Sequence, residues 1–193
     1  MKVKILGLDP SLSNFGIVKA TLDMVDLSIR IDDLVLIETE REGKRKVVRQ
    51  NSEDLARAKL LHDGLQKHAQ GAALVFAEVP VGSQSARAMA SYGVCIGVLA
   101  SCPVPIIQVT PSEVKQIATG HKNATKQEMI EWAVAKYPDA GWFAQKKGGV
   151  LRPLNKNEHL ADATAAIEAG LATDQFRQVR ALHLGTSLFC LGE

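Results

Sequence analysis

The sequence lacks any apolar run long enough to cross a membrane. A membrane-spanning helix needs about 20 consecutive apolar residues, and no stretch of this chain approaches that length. The apolar residues between Lys4 and Asp9 form too short a run for the core of a signal peptide. We therefore expect a cytoplasmic protein that has no membrane partner.

Cysteine and aromatic residues are also scarce. The three cysteines (Cys95, Cys102 and Cys190) are odd in number and lack the spacing of metal ligands, which argues against a disulfide framework or a zinc site. Cys95 and Cys102 lie among small apolar residues, so we expect them to be buried. The net charge of +2 is too small to indicate a nucleic-acid partner by itself.

The overall composition is that of an ordinary globular protein. The chain has 193 residues, of which 46% are hydrophobic and 23% are charged. This length supports one full hydrophobic core, and no segment reads as a linker. We therefore predict a single domain over residues 1–193.

The order of elements predicts an α/β fold. Three β-type runs come first, at Val3–Leu8, Phe15–Leu22 and Leu27–Glu40, and their short turns predict an antiparallel meander. Later elements alternate between helix and strand, which predicts a mixed five-stranded sheet, with three antiparallel and then two parallel strands, flanked by helices. The later predicted strands are Leu74–Glu78 and Val104–Val109; the predicted helices are Ser52–Gln70, Ser85–Leu99, Pro111–Thr119, Thr125–Tyr137 and Lys156–Ala172, and Asp139–Asn157 is predicted to be irregular.

Acidic residues occur where predicted strands end. Asp9 follows the first strand, Glu78 ends the fourth, and His159 and Asp162 share a face of the last predicted helix. Buried carboxylates are costly unless they are solvated, paired or bound to a cation, and oxygen ligands with one imidazole suit Mg²⁺ or Mn²⁺. By pattern alone, turn acids, solvated helix acids and an ordinary hydrogen-bonded histidine are the more common explanation.

Four segments, in order, match a known family. Residues 7–16 begin Gly-Leu-Asp-Pro-Ser, residues 75–78 read Val-Phe-Ala-Glu, and residues 159–163 read His-Leu-Ala-Asp-Ala. Between them, Val109–Gly120 contains Lys115, and Lys126 follows Gly120 by six residues. The sequence resembles the RuvC-type Holliday-junction resolvases, a group within the RNase H-like nucleases.

The resemblance implies an activity and a site. A member of this family would be a metal-dependent endodeoxyribonuclease that uses two Mg²⁺ ions, for which Mn²⁺ can substitute, and acts as a homodimer on branched DNA. Lys115 and Lys126 would lie near the scissile phosphate, although ordinary solvated lysines are an equal alternative. The implied metal ligands are Asp9, Glu78, His159 and Asp162.

The chain departs from compact bacterial members of the family. Val79–Gly82 follows the second acid, where those members carry aromatic and polar residues, and Arg41–Arg49 and Asp139–Asn157 look like additions. These departures suggest a divergent phage or organelle form, placed in the host cytoplasm or in an organelle. They also leave strict junction selectivity open.

Basic residues outside the acidic set are candidates for phosphate contacts. A solvated hairpin tip is an equal alternative for the first cluster, and the Trp142-Phe143 pair beside the last cluster would either stack on bases or anchor a loop. The candidates are Arg41, Lys44, Arg45, Lys46, Arg49, Lys122, Lys146 and Lys147.

The predicted helix Ser85–Leu99 carries small residues at near-helical spacing: Ala86, Ala90, Gly93 and Gly97. Such a face would pack against a second subunit or be buried within one. Three other functions remain open: a flap, fork or RNA–DNA hybrid nuclease of the same superfamily, a non-catalytic binder of branched DNA, and an ATPase-type phosphate binder.

Overall fold

The computed structural model describes residues 1–40 and 50–189, the last four by their backbone only. The candidate DNA contacts in the basic segment 41–49 lie outside the described residues, as does Cys190. Within the described ranges, no helix is both long and apolar enough to span a membrane.

A five-stranded sheet forms the centre of the protein, with the strand order β3-β2-β1-β4-β5. β1 pairs antiparallel with β2, and β2 pairs antiparallel with β3. β4 pairs parallel with β1, and β5 pairs parallel with β4. The predicted sheet is therefore confirmed. Its strands are β1 (Lys2–Pro10), β2 (Asn14–Asp23), β3 (Ile29–Glu38), β4 (Leu74–Glu78) and β5 (Ile106–Val109).

Helices cover both faces of this sheet. The described helices are α1 (Gln50–Ala69), α2 (Ala86–Ala100), α3 (Pro111–Thr119), α4 (Lys126–Lys136), α5 (Glu158–Leu171) and α6 (Asp174–Phe189). Successive residues of β1 point to opposite faces: Leu6 and Leu8 pack with α1 and α2, whereas Ile5 packs with α5 and α6. A further cluster joins α3 and α4 to α5. α5 therefore lies in the middle of one face.

β1 ends differently on its two sides. Its pairing with β2 continues to Pro10, but its pairing with β4 covers only Ile5–Leu8. Proline lacks a backbone N–H and is tolerated where one side of a strand is unpaired. The strand therefore runs two residues past its predicted end, and Asp9 lies where β1 and β4 separate.

Other boundaries shift by a few residues. β3 starts at Ile29 because Leu27 has a positive φ of 62° and belongs to the preceding turn. Ser85 caps α2 instead of lying within it, and the backbone of α1 is already helical at Gln50, two residues before the predicted cap. α5 starts at Glu158, after a short 3-10 turn.

Two elements were not predicted. The segment predicted to be irregular contains a hairpin of β6 (Ala144–Lys147) and β7 (Val150–Pro153), joined by Gly148 and Gly149 at φ values of 60° and 83°. Two successive positive φ angles suit the tight turn of a two-residue hairpin, and glycine adopts them easily. The second is α6, which Phe176 attaches to the core.

Candidate active site

Two glycines allow α5 to lie directly on the central strands. A Cβ atom at Gly7 would lie 2.1 Å from the carbonyl oxygen of Ala163, and one at Gly16 would lie 2.2 Å from that of His159. Any side chain at either position would therefore push the helix away from the sheet. The first turns of α5, which carry His159 and Asp162, are held at the end of β1 for this reason.

The predicted histidine contacts the first predicted acid. Nδ1 of His159 lies 2.6 Å from Oδ2 of Asp9, whose residue is only 8% exposed. Burial alone would lower the pKa of His159, but the hydrogen bond and the charge of Asp9 outweigh it and raise that pKa. His159 is therefore a hydrogen-bonded partner of Asp9.

The other two acids have too little positive charge around them. Burial, and then the charges of Asp9 and Asp162, raise the pKa of Glu78 to about 9. Burial, and then the charges of Asp9 and Glu158, raise the pKa of Asp162 to about 8. Oδ1 of Asp162 is buried and has no hydrogen-bond partner. Asp9, Glu78 and Asp162 therefore lie close enough to interact, and their site has an excess of negative charge.

The two predicted lysines differ in their surroundings. Lys115 of α3 is half-buried, and its charge lowers the pKa of both Glu78 and Asp162, so it faces the acidic group. Nζ of Lys126 lies 2.8 Å from Oε2 of Glu158, and its side chain is 76% exposed. Lys115 therefore acts on both Glu78 and Asp162, whereas Lys126 is paired with Glu158.

Capping boxes fix the starts of the two helices that carry these lysines. Thr125 and Glu128 form the box predicted for α4. Thr110 and Glu113 form a second one at α3, which was not predicted. Reciprocal caps satisfy the free backbone N–H groups of a first turn, so the helix starts beside the site are well defined.

A cavity of about 180 Å³ opens beside the acids. Asp9 and Glu78 line it together with Ser11, Tyr92 and Pro111. Tyr92, which reaches the cavity from α2, carried no signal in the sequence. The Ser11 hydroxyl is used locally, because it donates to the backbone oxygen of Asn14 at 2.7 Å.

The donor set fits a divalent cation in its chemistry. The unpartnered oxygen of Asp162 and the raised pKa values of Glu78 and Asp162 indicate that Lys115 and His159 supply too little counter-charge for these carboxyl groups. Mg²⁺ and Mn²⁺ prefer such oxygen donors. Within residues 1–40 and 50–189, no group of three or more His, Cys, Asp or Glu side chains is already arranged to hold a metal ion.

The remaining predicted contacts do not line the cavity beside Asp9 and Glu78. Lys122 is exposed in the turn between α3 and α4 and lines a separate cavity beside Gln116. Lys146 and Lys147 are exposed on β6. Trp142 is half-buried against the core, and its Nε1 donates to the oxygen of Tyr137 at 2.8 Å. Trp142 thus anchors this segment to the core, which was one of the two interpretations offered by the sequence; the other was stacking on bases.

α2 points its small residues outward. Ala86, Ala90, Gly93 and Gly97 are all exposed, and a Cβ at either glycine would meet nothing within 4 Å. Among the described residues, nothing covers this face, so the described part of the subunit does not bury it. Cys95 is buried as predicted, whereas Cys102 is only partly buried.

Solved structures with a similar fold exist, although no family model and no curated protein matches the sequence. RuvC of Thermus thermophilus in complex with a Holliday junction substrate gives a TM-score of 0.59 at 21% identity, over 88% of this chain and 93% of that one. The chain has the RuvC fold.

A second structure of Thermus thermophilus RuvC gives a TM-score of 0.57 at 20% identity, over 89% of this chain and 95% of that one. A complex of Fowlpox virus resolvase with Holliday junction DNA gives 0.48 at 16% identity, over 88% and 95%. The RuvC fold agrees with the RNase H-like sheet predicted from the sequence. Asp9, Glu78 and Asp162 lie on β1, β4 and α5 of that fold.

Proposed function

We propose that this chain is a metal-dependent endodeoxyribonuclease that cleaves four-way DNA junctions. The observation that carries the proposal is that the half-buried Glu78 and Asp162 lie beside the buried Asp9, with one buried oxygen of Asp162 unpartnered. Such an arrangement costs folding free energy unless a cation offsets it. The RuvC fold supports junction DNA as the substrate, since RuvC binds a Holliday junction substrate.

Each residue has a proposed role. Asp9, Glu78 and Asp162 would hold Mg²⁺, or Mn²⁺ in its place, and a bound ion supplies Lewis acidity at the scissile phosphate. His159 orients Asp9 through the 2.6 Å contact and is the fourth candidate ligand. Lys115 offsets negative charge that develops on the phosphate oxygens.

Lys126 and the outer lysines would act on the DNA backbone. Lys126 holds Glu158 at the edge of the site and is exposed enough to meet a phosphate as well. Lys122, Lys146 and Lys147 are exposed cations, and cations that neutralise phosphates make binding steeply salt-dependent.

A homodimer would suit a junction that has two symmetric strands to cut. The outward small-residue face of α2 allows close approach of a second copy, and Met89 and Ile96 add exposed apolar area there, at 46% and 45%. Sedimentation should give a dimer mass, and a monomer at working concentration would remove this part of the proposal.

The main test is cleavage of a labelled four-way junction beside a flap and a linear duplex, with Mg²⁺ or with EDTA. Symmetric nicks in the junction that Asp9→Asn and EDTA both abolish, while binding persists, are the expected result. Equal cutting of the flap would replace the junction resolvase with a broader nuclease. Tight binding without any cutting would favour a non-catalytic DNA binder, and nucleotide binding without DNA binding would favour an ATPase-type protein.

A further inference from the structure

The β6–β7 hairpin carries exposed apolar and basic side chains that the proposed chemistry does not use. Residues 144–153 read Ala-Gln-Lys-Lys-Gly-Gly-Val-Leu-Arg-Pro, with three cations and no acid. We propose that this hairpin is a wedge that inserts Val150 and Leu151 between bases of branched DNA near the cut. The inference rests on the proposed nuclease function and adds a specificity element to it.

Two large apolar side chains that follow one another in the chain are both exposed on this hairpin. Val150 is 59% and Leu151 is 70% exposed. Neighbouring residues of a strand point to opposite faces, so each face of the hairpin presents one of them. A two-stranded hairpin is marginally stable in water by itself, and a bound partner that covers both faces would stabilise it.

Charge indicates which partner this is. Across the hairpin, Leu151 pairs with Lys146 and Val150 pairs with Lys147, so each apolar side chain stands beside a cation. Proteins that unstack DNA combine apolar wedges between bases with basic contacts to the backbone. A partner with apolar faces and a regular row of anions, which is what nucleic acid offers, matches both features.

The base of the hairpin is fixed to the helix that carries the site. The side chain of Asn157, which is fully buried, accepts from the backbone N–H of Phe143 at 3.0 Å and donates to its oxygen at 2.7 Å. Nζ of Lys156 lies 4.1 Å from the ring centroid of Phe143. Asn157 directly precedes Glu158 and His159, so the base of the hairpin is attached to the start of α5.

The length of the hairpin limits where the wedge can act. Four residues in each strand span about 13 Å, which is roughly four base-pair steps. The unstacked bases should therefore lie within a few nucleotides of the scissile phosphate.

The test uses 2-aminopurine, a base whose fluorescence rises when it is unstacked, placed in turn at positions within four nucleotides of the mapped nick. Junction DNA is bound by the Asp9→Asn protein, so that no cleavage interferes. Brightening at one or more positions is expected, and Val150→Ser with Leu151→Ser should remove it. In the protein that retains Asp9, Val150→Ser with Leu151→Ser should slow single-turnover cleavage about tenfold.

A matched control comes from the other end of the sheet. Val25 and Leu182 are 61% and 71% exposed, and Arg180 of α6 holds the backbone oxygen of Val25 at 2.6 Å. Changing Val25 and Leu182 to serine should leave fluorescence and cleavage unchanged. Replacing Val150 and Leu151 with methionine, which keeps apolar side chains, should restore both.

The outcomes separate the two proposals. If the unmodified protein neither binds nor cuts branched DNA, the nuclease proposal fails and the wedge fails with it. If it cuts the junction and the serine pair leaves fluorescence and rate unchanged, only the wedge is overturned. A serine pair that turns a dimer into a monomer while the bases still brighten would make the hairpin a protein interface and would also overturn the wedge.

Discussion

The β1–β2 ladder has acidic residues at both ends. The acids at one end are paired with positive charges and hydrogen-bond donors, whereas those at the other end have too few such partners. At one end, Asp23 accepts from the amino terminus at 3.1 Å and from the backbone of Val25 at 2.9 Å. Beside it, Asp32 pairs with Lys4 at 2.9 Å and with Arg30 at 2.8 Å. At the other end lie the buried Asp9 and, beside it, the half-buried Glu78 and Asp162.

The carboxyl pKa values differ accordingly. The backbone hydrogen bond from Val25 lowers the pKa of Asp23. Burial acts to raise the pKa of Asp32, but hydrogen bonds from Thr21 and Lys4 outweigh it and lower that pKa. The pKa values of Glu78 and Asp162 are raised instead. One end supplies its own counter-charges; the other is left short of them, which is what the proposed cation site would require.

The largest effect should come from removing one acid at each end. Asp162→Asn should reduce single-turnover cleavage about a thousandfold or more, since it removes a proposed metal ligand. Asp32→Asn, the matched change at the other end, should leave the rate unchanged. Equal rates for the two variants would mean that the buried acids do not take part in catalysis.

The next largest effects should come from replacing the two lysines, and they should differ in size. Lys115→Met should slow cleavage about a hundredfold, because it removes a cation that faces Glu78 and Asp162. Lys126→Met should cost less, about tenfold, since its Nζ is engaged by Glu158 and its side chain is largely exposed. Rates at saturating DNA measure this difference, and a larger loss for Lys126 would reverse the assignment.

A third effect concerns the glycine that faces Asp9 across the ladder. Gly16→Ala should destabilise the protein by about 3 kcal/mol, because its Cβ would overlap the carbonyl oxygen of His159. Gly185→Ala, in α6, where an added Cβ would meet nothing within 4 Å, should be neutral or stabilising by up to about 1 kcal/mol. Urea unfolding measures both, and a tolerated Gly16→Ala would contradict the close approach of α5.

The sequence predicted three antiparallel and two parallel strands, with Asp9 and Glu78 at strand ends, because apolar runs that end in acids mark such ends. It also predicted that His159 and Asp162 share a helix face, from their spacing. It could not predict the hydrogen bond between Asp9 and His159. That contact depends on how closely α5 approaches the sheet, which Gly7 and Gly16 determine, and a glycine in a strand does not show what packs against it.

The hairpin and α6 were missed for different reasons. Ala144–Lys147 and Val150–Pro153 are exposed throughout, so they lack the alternation that marks a half-buried strand. The Gly148-Gly149 pair was the available signal, since it is typical of two-residue hairpins. In α6, Phe176 is buried while most described side chains are exposed or half-buried, which leaves only a weak helical pattern.

The smallest expected effect is on the stability of the metal-free protein. The pKa of Glu78 rises from an ordinary 4.5 to about 9 on folding, so the folded state binds more protons than the unfolded state between these values. The free energy of unfolding should therefore fall as pH rises from about 4.5 to about 9. Asp32 has the opposite sign: its lowered pKa contributes stability above pH 3.8, its ordinary value.

Thermal melts in EDTA should separate these signs. At pH 9, Glu78→Gln should melt about 3 °C above the unmodified protein, because a neutral amide avoids burying the charge, and near pH 4.5 the difference should vanish. Asp32→Asn should melt slightly lower at both pH 7 and pH 9, since it loses the pairs with Lys4 and Arg30. If the melting curves of Glu78→Gln and the unmodified protein stayed parallel from pH 5 to pH 9, Glu78 would not be short of counter-charge. The contrast between the two ends of the ladder would then rest on Asp162 alone.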